Sequence, residues 1–142
     1  LRLMDMGVPR YMVGSSLQAV LAQRLVRVIC ESCTTAHELT PTEHEWLRYE
    51  LREHVDKARF FHGKGCSHCN GMGYRGRTGV YELLEMTQAV VDASNHPDPA
   101  HFLKAAHIEM AGATLRRHAV QLAVQGRTTV SEAMRISNQL ED

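Results

Sequence analysis

Cys30-Glu31-Ser32-Cys33 and Cys66-Ser67-His68-Cys69 decide how this chain is read. They hold its only four cysteines, and 32 residues lie between the two pairs. A Cys-x-x-Cys step lets two thiolates reach one ion from a single tight turn, and two such steps complete the tetrahedral S4 shell of a structural zinc site. Four soft thiolates with no open position suit holding better than catalysis. Two disulfides, a redox pair and an iron–sulfur cluster are the alternatives. Disulfides need an oxidising compartment, and the opening LRLMDMGVPRYMVG does not read as a secretory signal. A redox pair belongs in a thioredoxin-like βαβ pattern, and the spacing does not favour a cluster.

Working outward, the stretch before the first pair carries Leu17, Val20, Leu21, Leu25, Val28 and Ile29 at three- and four-residue steps. That spacing predicts an amphipathic helix, capped by Ser15 or Ser16 and running to about Ile29, that delivers Cys30 to the metal. Between the pairs, Thr40-Pro41-Thr42-Glu43 is a capping box with proline at the first helical position, and a helix to about Val55 is expected. Trp46, Leu47 and Leu51 are its candidates for burial. His37, His44, His54 and His62 fall in the same insert and, with four thiolates at hand, are expected at the surface or behind the ligands. A short strand is predicted over 58–62 and a second over 78–84.

The glycines at 63, 65, 71, 73, 76 and 79 supply the turns that a knuckle and a hairpin require. From Arg59 to Arg77 there are four basic residues and no acidic one, a charge that helps balance an S4 site. The remainder reads as helical. Thr87 and Asp98-Pro99 are helix starts, Gly112 and Gly126 are breaks, and TVSE at 129–132 is a second capping box.

The chain has 142 residues, is 44% apolar and 23% charged, and has zero formal net charge. That balance and the scarcity of aromatics argue against a nucleic-acid binder. No apolar run is long enough to span a bilayer. No G-x-x-x-x-G-K-[ST] phosphate loop and no nucleophile–base spacing is present, so no catalytic residue is assigned and no activity of the chain alone is expected. The residues by themselves describe a zinc-stapled α+β module, mostly helical, that does no chemistry of its own. The start at Leu1 rather than methionine leads to the expectation of a fragment of something longer.

Three stretches together resemble the C-terminal end of the type II secretion and type IV pilus assembly ATPases, the GspE/PilB group. They are MGVPRYMVGSSLQAVLAQRLVRVICESC (6–33), GCSHCNGMGYRGRTGVYELLEM (65–86) and GRTTVSEAMRIS (126–137), and the tail looks closest to the MSHA-type pilus member. The resemblance implies the last part of a RecA-like P-loop core over 1–29, a four-cysteine zinc subdomain over 30–85 and a C-terminal helical subdomain over 86–142. It also implies a homohexameric cytoplasmic motor, peripheral at the inner membrane, that drives pilin or pseudopilin assembly. ATP and Mg²⁺ would be bound by parts of the parent protein upstream of this region. Its partners would be neighbouring subunits and the membrane platform protein. Cys30, Cys33, Cys66 and Cys69 match the family's metal ligands. Arg24 and Arg27 match its Gln-Arg-Leu-Val-Arg stretch, Arg75 and Arg77 match its Tyr-Arg-Gly-Arg-Thr-Gly turn, and all four are candidates for an interface. The alternative is a DnaJ-type zinc-ribbon chaperone module, since CSHCNGMG fits one Cys-x-x-Cys-x-Gly-x-Gly repeat. The pair at 30–33, followed by TTAH, does not.

Overall fold

A computed structural model describes residues 2–138. The chain is α+β and about half helical, in the order α1 (Arg2–Asp5), α2 (Arg10–Ser16), β1 (Ala19–Ile29), β2 (Thr34–His37), α3 (Pro41–Leu51), β3 (Phe60–Gly63), β4 (Tyr74–Glu85), α4 (Gln88–Ser94), α5 (Pro99–Met110), α6 (Leu115–Val124) and α7 (Val130–Asn138). It packs as two units that interleave in sequence. One is Leu1–Ala22 with Glu82–Thr114, and the other is Gln23–Tyr81 with Leu115–Asp142.

The largest departure from the sequence reading is β1. The stretch expected as a helix to Ile29 is an eleven-residue strand, and Ser15 and Ser16 close α2 instead of capping a new helix. The β-branched residues Val20, Val26, Val28 and Ile29 favour a pleated backbone. Near its end the strand alternates, with Val26 buried, Arg27 exposed and Val28 half-buried. Its partner is β4. Met86 N–H donates to the Gln18 carbonyl at 2.9 Å and Cys30 N–H to that of Gly73 at 3.0 Å, so the two strands run antiparallel. Leu21 and Leu25, placed on the buried stripe of the expected helix, are instead 62% and 47% exposed.

Other local signals form as the sequence predicts. The Thr40 hydroxyl accepts from Glu43 N–H at 3.2 Å, and the Glu43 carboxylate accepts from Thr40 N–H at 3.1 Å. The helix ends at Leu51, and a 3-10 turn over Arg52–Asp56 replaces its last expected turn. Asp98 caps α5 through a 3.0 Å bond from Ala100 N–H, with Pro99 at its first position. Thr87 precedes α4 without capping it, and its hydroxyl donates to Glu109 at 3.3 Å.

In the second unit, Leu47 of α3, Val55 and Phe60 pack on Val120 and Ala123 of α6 and Val130 of α7. Trp46 and Leu51 lie against that core. β2 and β3 pair antiparallel in the register Thr34↔Gly63 through His37↔Phe60. This ladder brings the two ends of the insert together next to the cysteine pairs in sequence. In the first unit a smaller core joins Leu84, Val90 and Ala106, with Met86, Phe102 and Met110 beside them. Among the described residues no helix is long and apolar enough to cross a membrane.

Candidate metal centre

Two tight turns bring the four cysteines together. At the end of β1 the chain turns so that Cys33 N–H reaches the Cys30 carbonyl at 3.3 Å, and the Thr34 hydroxyl donates to the same carbonyl at 2.8 Å. The second turn, Ser67–Cys69, is a 3-10 step ending at Asn70 in the left-handed region, with Gly71 N–H bonded to the Cys66 carbonyl at 2.8 Å. Gly63 and Gly73 let the two turns approach. A Cβ at Gly63 would stand 2.1 Å from the Gly73 carbonyl oxygen, a contact that no side chain tolerates.

The four Sγ atoms all lie within 4.8 Å of one another. Cys30–Cys66, Cys33–Cys69 and Cys66–Cys69 are 3.8, 3.9 and 3.7 Å apart. A tetrahedral ion with metal–sulfur bonds of about 2.3 Å has sulfur–sulfur edges of about 3.8 Å. Three of the six edges match that length and the others are no longer than 4.8 Å, so the donor set is compatible with one Zn²⁺, whereas a disulfide would need sulfurs about 2.05 Å apart. All four cysteines are free.

Backbone donors are aimed at the sulfurs. Gly73 N–H lies 3.1 Å and Cys66 N–H 3.3 Å from Cys69 Sγ, and Gly65 N–H lies 3.4 Å from Cys33 Sγ. Burial pushes the Cys69 thiol up, but the N–H groups of Cys66 and Gly73 outweigh it and bring the group down to about 6. Burial dominates at Cys33 and, against the Gly65 N–H, pushes it up to about 11. The two N–H groups aimed at Cys69 Sγ favour its thiolate over its thiol, and the thiolate is the form that binds a metal.

None of the four histidines of the insert joins the sulfurs among the described metal-type clusters. His37 bonds Glu43 at 3.1 Å and His44 bonds Asp56 at 2.8 Å.

The four arginines have separate surroundings. Arg24 is exposed and reaches its neighbour's carbonyl, that of Gln23, at 3.0 Å. Arg75 packs on the His68 ring and donates to the His68 carbonyl at 3.3 Å. Arg77 is exposed. Arg27 lies 4.1 Å over the Tyr74 ring and pairs with Glu132 at 2.9 Å.

Glu132 is the residue that sequence reasoning missed. The TVSE pattern predicts a full capping box, and only its first half forms: Thr129 Oγ1 accepts from Glu132 N–H at 3.1 Å. The carboxylate itself is 1% exposed and turns to Arg27 and Arg135. Burial alone would raise its pKa, but bonds from the Arg135 and Arg27 side chains and the Arg27 N–H hold it at about 2. The signal in the sequence is Arg135, three residues on, which pairs with Glu132 at 2.9 Å.

An α+β scaffold that gathers four free thiols within 4.8 Å of one another is compatible with a structural metal site. The comparisons narrow this. A family profile described as "Type II/IV secretion system protein" matches residues 1–135. The chain is 33% identical over 138 residues to the type II secretion system protein E of Aeromonas hydrophila, covering 97% of this chain and 27% of that protein. It is equally similar, 33% over 138 residues, to the type II secretion system ATPase E of Vibrio cholerae, with the same coverage of 97% and 27%. It is 35% identical over 134 residues to the type IV pilus assembly ATPase PilB of Thermus thermophilus, covering 94% of this chain and 15% of that protein. The chain belongs to the type II/IV secretion system protein family, and it spans about a quarter or less of the length of these curated relatives. The match runs through both cysteine pairs, which sets the chaperone-type reading aside.

Proposed function

We propose that this chain is the zinc-stapled C-terminal part of an ATPase that powers secretion or pilus assembly, and that its role there is to hold shape and transmit force. The observation that carries the zinc reading is the gathering of four cysteine sulfurs within 4.8 Å, with three of their edges at 3.7–3.9 Å, which suits one tetrahedral ion. The bound ion would supply a rigid crosslink, with Cys30, Cys33, Cys66 and Cys69 as its ligands. A projection of this size lacks the core to stand alone, and a metal supplies what the core lacks.

In this reading, residues 1–29 complete a RecA-like core whose phosphate loop, ATP and Mg²⁺ belong to the rest of the parent protein. Residues 30–85 form the zinc subdomain and 86–142 the C-terminal helical subdomain. The parent works as a cytoplasmic hexamer at the inner membrane, against neighbouring subunits and the platform protein. Arg24, Arg75 and Arg77, exposed on this chain, are available to such an interface. The names of the relatives support this reading, since they are secretion and pilus assembly ATPases.

The test has two parts. Metal analysis of the purified chain should find about one zinc, and a strong chelator should partly unfold it by far-UV circular dichroism. In the parent protein, Cys66→Ser should abolish secretion or piliation. Full activity in that variant would overturn the force-transmitting role.

A further inference from the structure

We propose that Glu132 is a positioning residue for the cysteine cluster: its buried carboxylate fixes the end of β1, and through it the placement of Cys30 and Cys69. This rests on the zinc reading above.

The buried polar residues among those described, Thr128, Thr129, Glu132 and Ser137, fall within ten consecutive positions. Three of them clasp the strands that carry the knuckles. Glu132 Oε2 accepts from the Arg27 backbone N–H at 2.9 Å, and the Thr128 hydroxyl donates to the Arg27 carbonyl at 2.8 Å. Ile29 N–H donates to the Arg127 carbonyl at 3.0 Å. Three backbone groups just ahead of Cys30 are therefore held by one segment at the start of α7. The same segment reaches the other strand, where the Tyr74 and Thr129 hydroxyls lie 2.8 Å apart and the Arg27 guanidinium covers the Tyr74 ring.

From there the path to sulfur is short. Cys30 N–H bonds the Gly73 carbonyl at 3.0 Å, and Gly73 N–H bonds Cys69 Sγ at 3.1 Å. Both carboxylate oxygens of Glu132 are used, one on the Arg27 guanidinium and one on its backbone, with Arg135 bonding each at 3.1 and 2.9 Å. Arg135 also reaches the Leu25 carbonyl at 3.1 Å. Loss of the negative charge leaves two guanidinium groups and one strand N–H sharing a weakened acceptor, and the strand end is released. Linkage makes the effect reciprocal: if Glu132 steadies the metal site, a bound metal steadies α7 by the same factor.

Glu50 is the internal control. It is also a buried carboxylate, 7% exposed, between two arginines, Arg116 at 3.7 Å and Arg117 at 3.4 Å, but it ties α3 to α6. The experiment uses the full 142-residue chain loaded with zinc. Metal release to a chromophoric chelator is timed in wild type, Glu132→Gln and Glu50→Gln, and amide exchange over 130–138 is followed with and without zinc. Release should be about tenfold faster in Glu132→Gln, and Glu50→Gln should stay within about twofold of wild type. Zinc should slow exchange over 130–138 in the wild type. Wild-type release from Glu132→Gln, equal acceleration in both variants, or indifference of wild-type exchange to zinc would each overturn the proposal while leaving zinc binding intact. If Glu132→Gln fails to fold, the wild-type exchange arm decides. A wild-type chain that takes up no zinc would overturn the metal reading itself, and uptake is measured first.

Discussion

The two packing units spend their apolar residues differently. In the unit of Gln23–Tyr81 and Leu115–Asp142, residues from α3, β3, α6 and α7 close a core around Leu47, and four thiols gather beside a strand end that a buried carboxylate bonds. In the unit of Leu1–Ala22 and Glu82–Thr114, a core cluster gathers around Val90, and large apolar side chains lie outside it. Met6, Leu21, Leu103 and Ile108 are all more than half exposed, and an open cleft of about 410 Å³ is lined by Leu3, Met4, Val13, Phe102 and others. A unit stapled by a metal, as proposed, would keep its shape by itself, whereas one that exposes this much apolar surface is suited to burial against something else.

The sharpest way to break this contrast is to remove the staple. Chelation, or Cys30→Ala with Cys66→Ala, should melt the knuckles and the β2–β3 ladder, with metal-site losses on the order of 10 kcal/mol. Amide exchange resolved by segment should show protection lost over 30–37 and 60–74 and largely kept over 88–110. Uniform loss across both units would erase the distinction. Next in size is the core of the stapled unit. Leu47→Ala, at a fully buried position, should cost about 2–5 kcal/mol in denaturant titrations.

Glu132 sharpens the comparison through pH. Its carboxylate is held at about 2 against an ordinary 4.5, so its stabilising contribution is complete above the ordinary value and drains away as pH falls toward 2. The full contribution is roughly 3 kcal/mol. Unfolding free energy measured from pH 7 down should decline over that window in the wild type and decline less in Glu132→Gln. Thr40→Ala removes the cap of α3 and should cost about 1 kcal/mol. The smallest effect belongs to the other unit. Leu103→Ser, at a side chain 59% exposed, should shift stability by no more than about 0.5 kcal/mol, yet lower self-association in light scattering.

What the sequence disclosed was local. The caps at Thr40 and Asp98 and the two Cys-x-x-Cys turns are decided within four or five residues, and each was legible. β1 was not. Its apolar residues fit three- and four-residue steps, while the strand's partner begins 45 residues beyond its end, at Tyr74. Val26, fully buried here, lay outside the expected stripe, and Leu21 and Leu25, inside it, face out. Long-range pairing overrode a local period that β-branched residues already opposed. Glu132 hid for a related reason: Arg27, which decides its role, is 105 positions away.

The ladder from Thr34↔Gly63 to His37↔Phe60 has one further consequence, for how this molecule tolerates change. It pinches the chain shut directly beside Cys33 and Cys66, so residues 38–59 leave and return through a single neck. Doubling the length of a loop closed in this way costs only about 0.6 kcal/mol of entropy. Provided Leu47 and Val55 keep their seats in the core, with Trp46 and Leu51 against it, the exposed positions beyond the neck are where the chain can grow or accept a grafted epitope without disturbing the sulfurs.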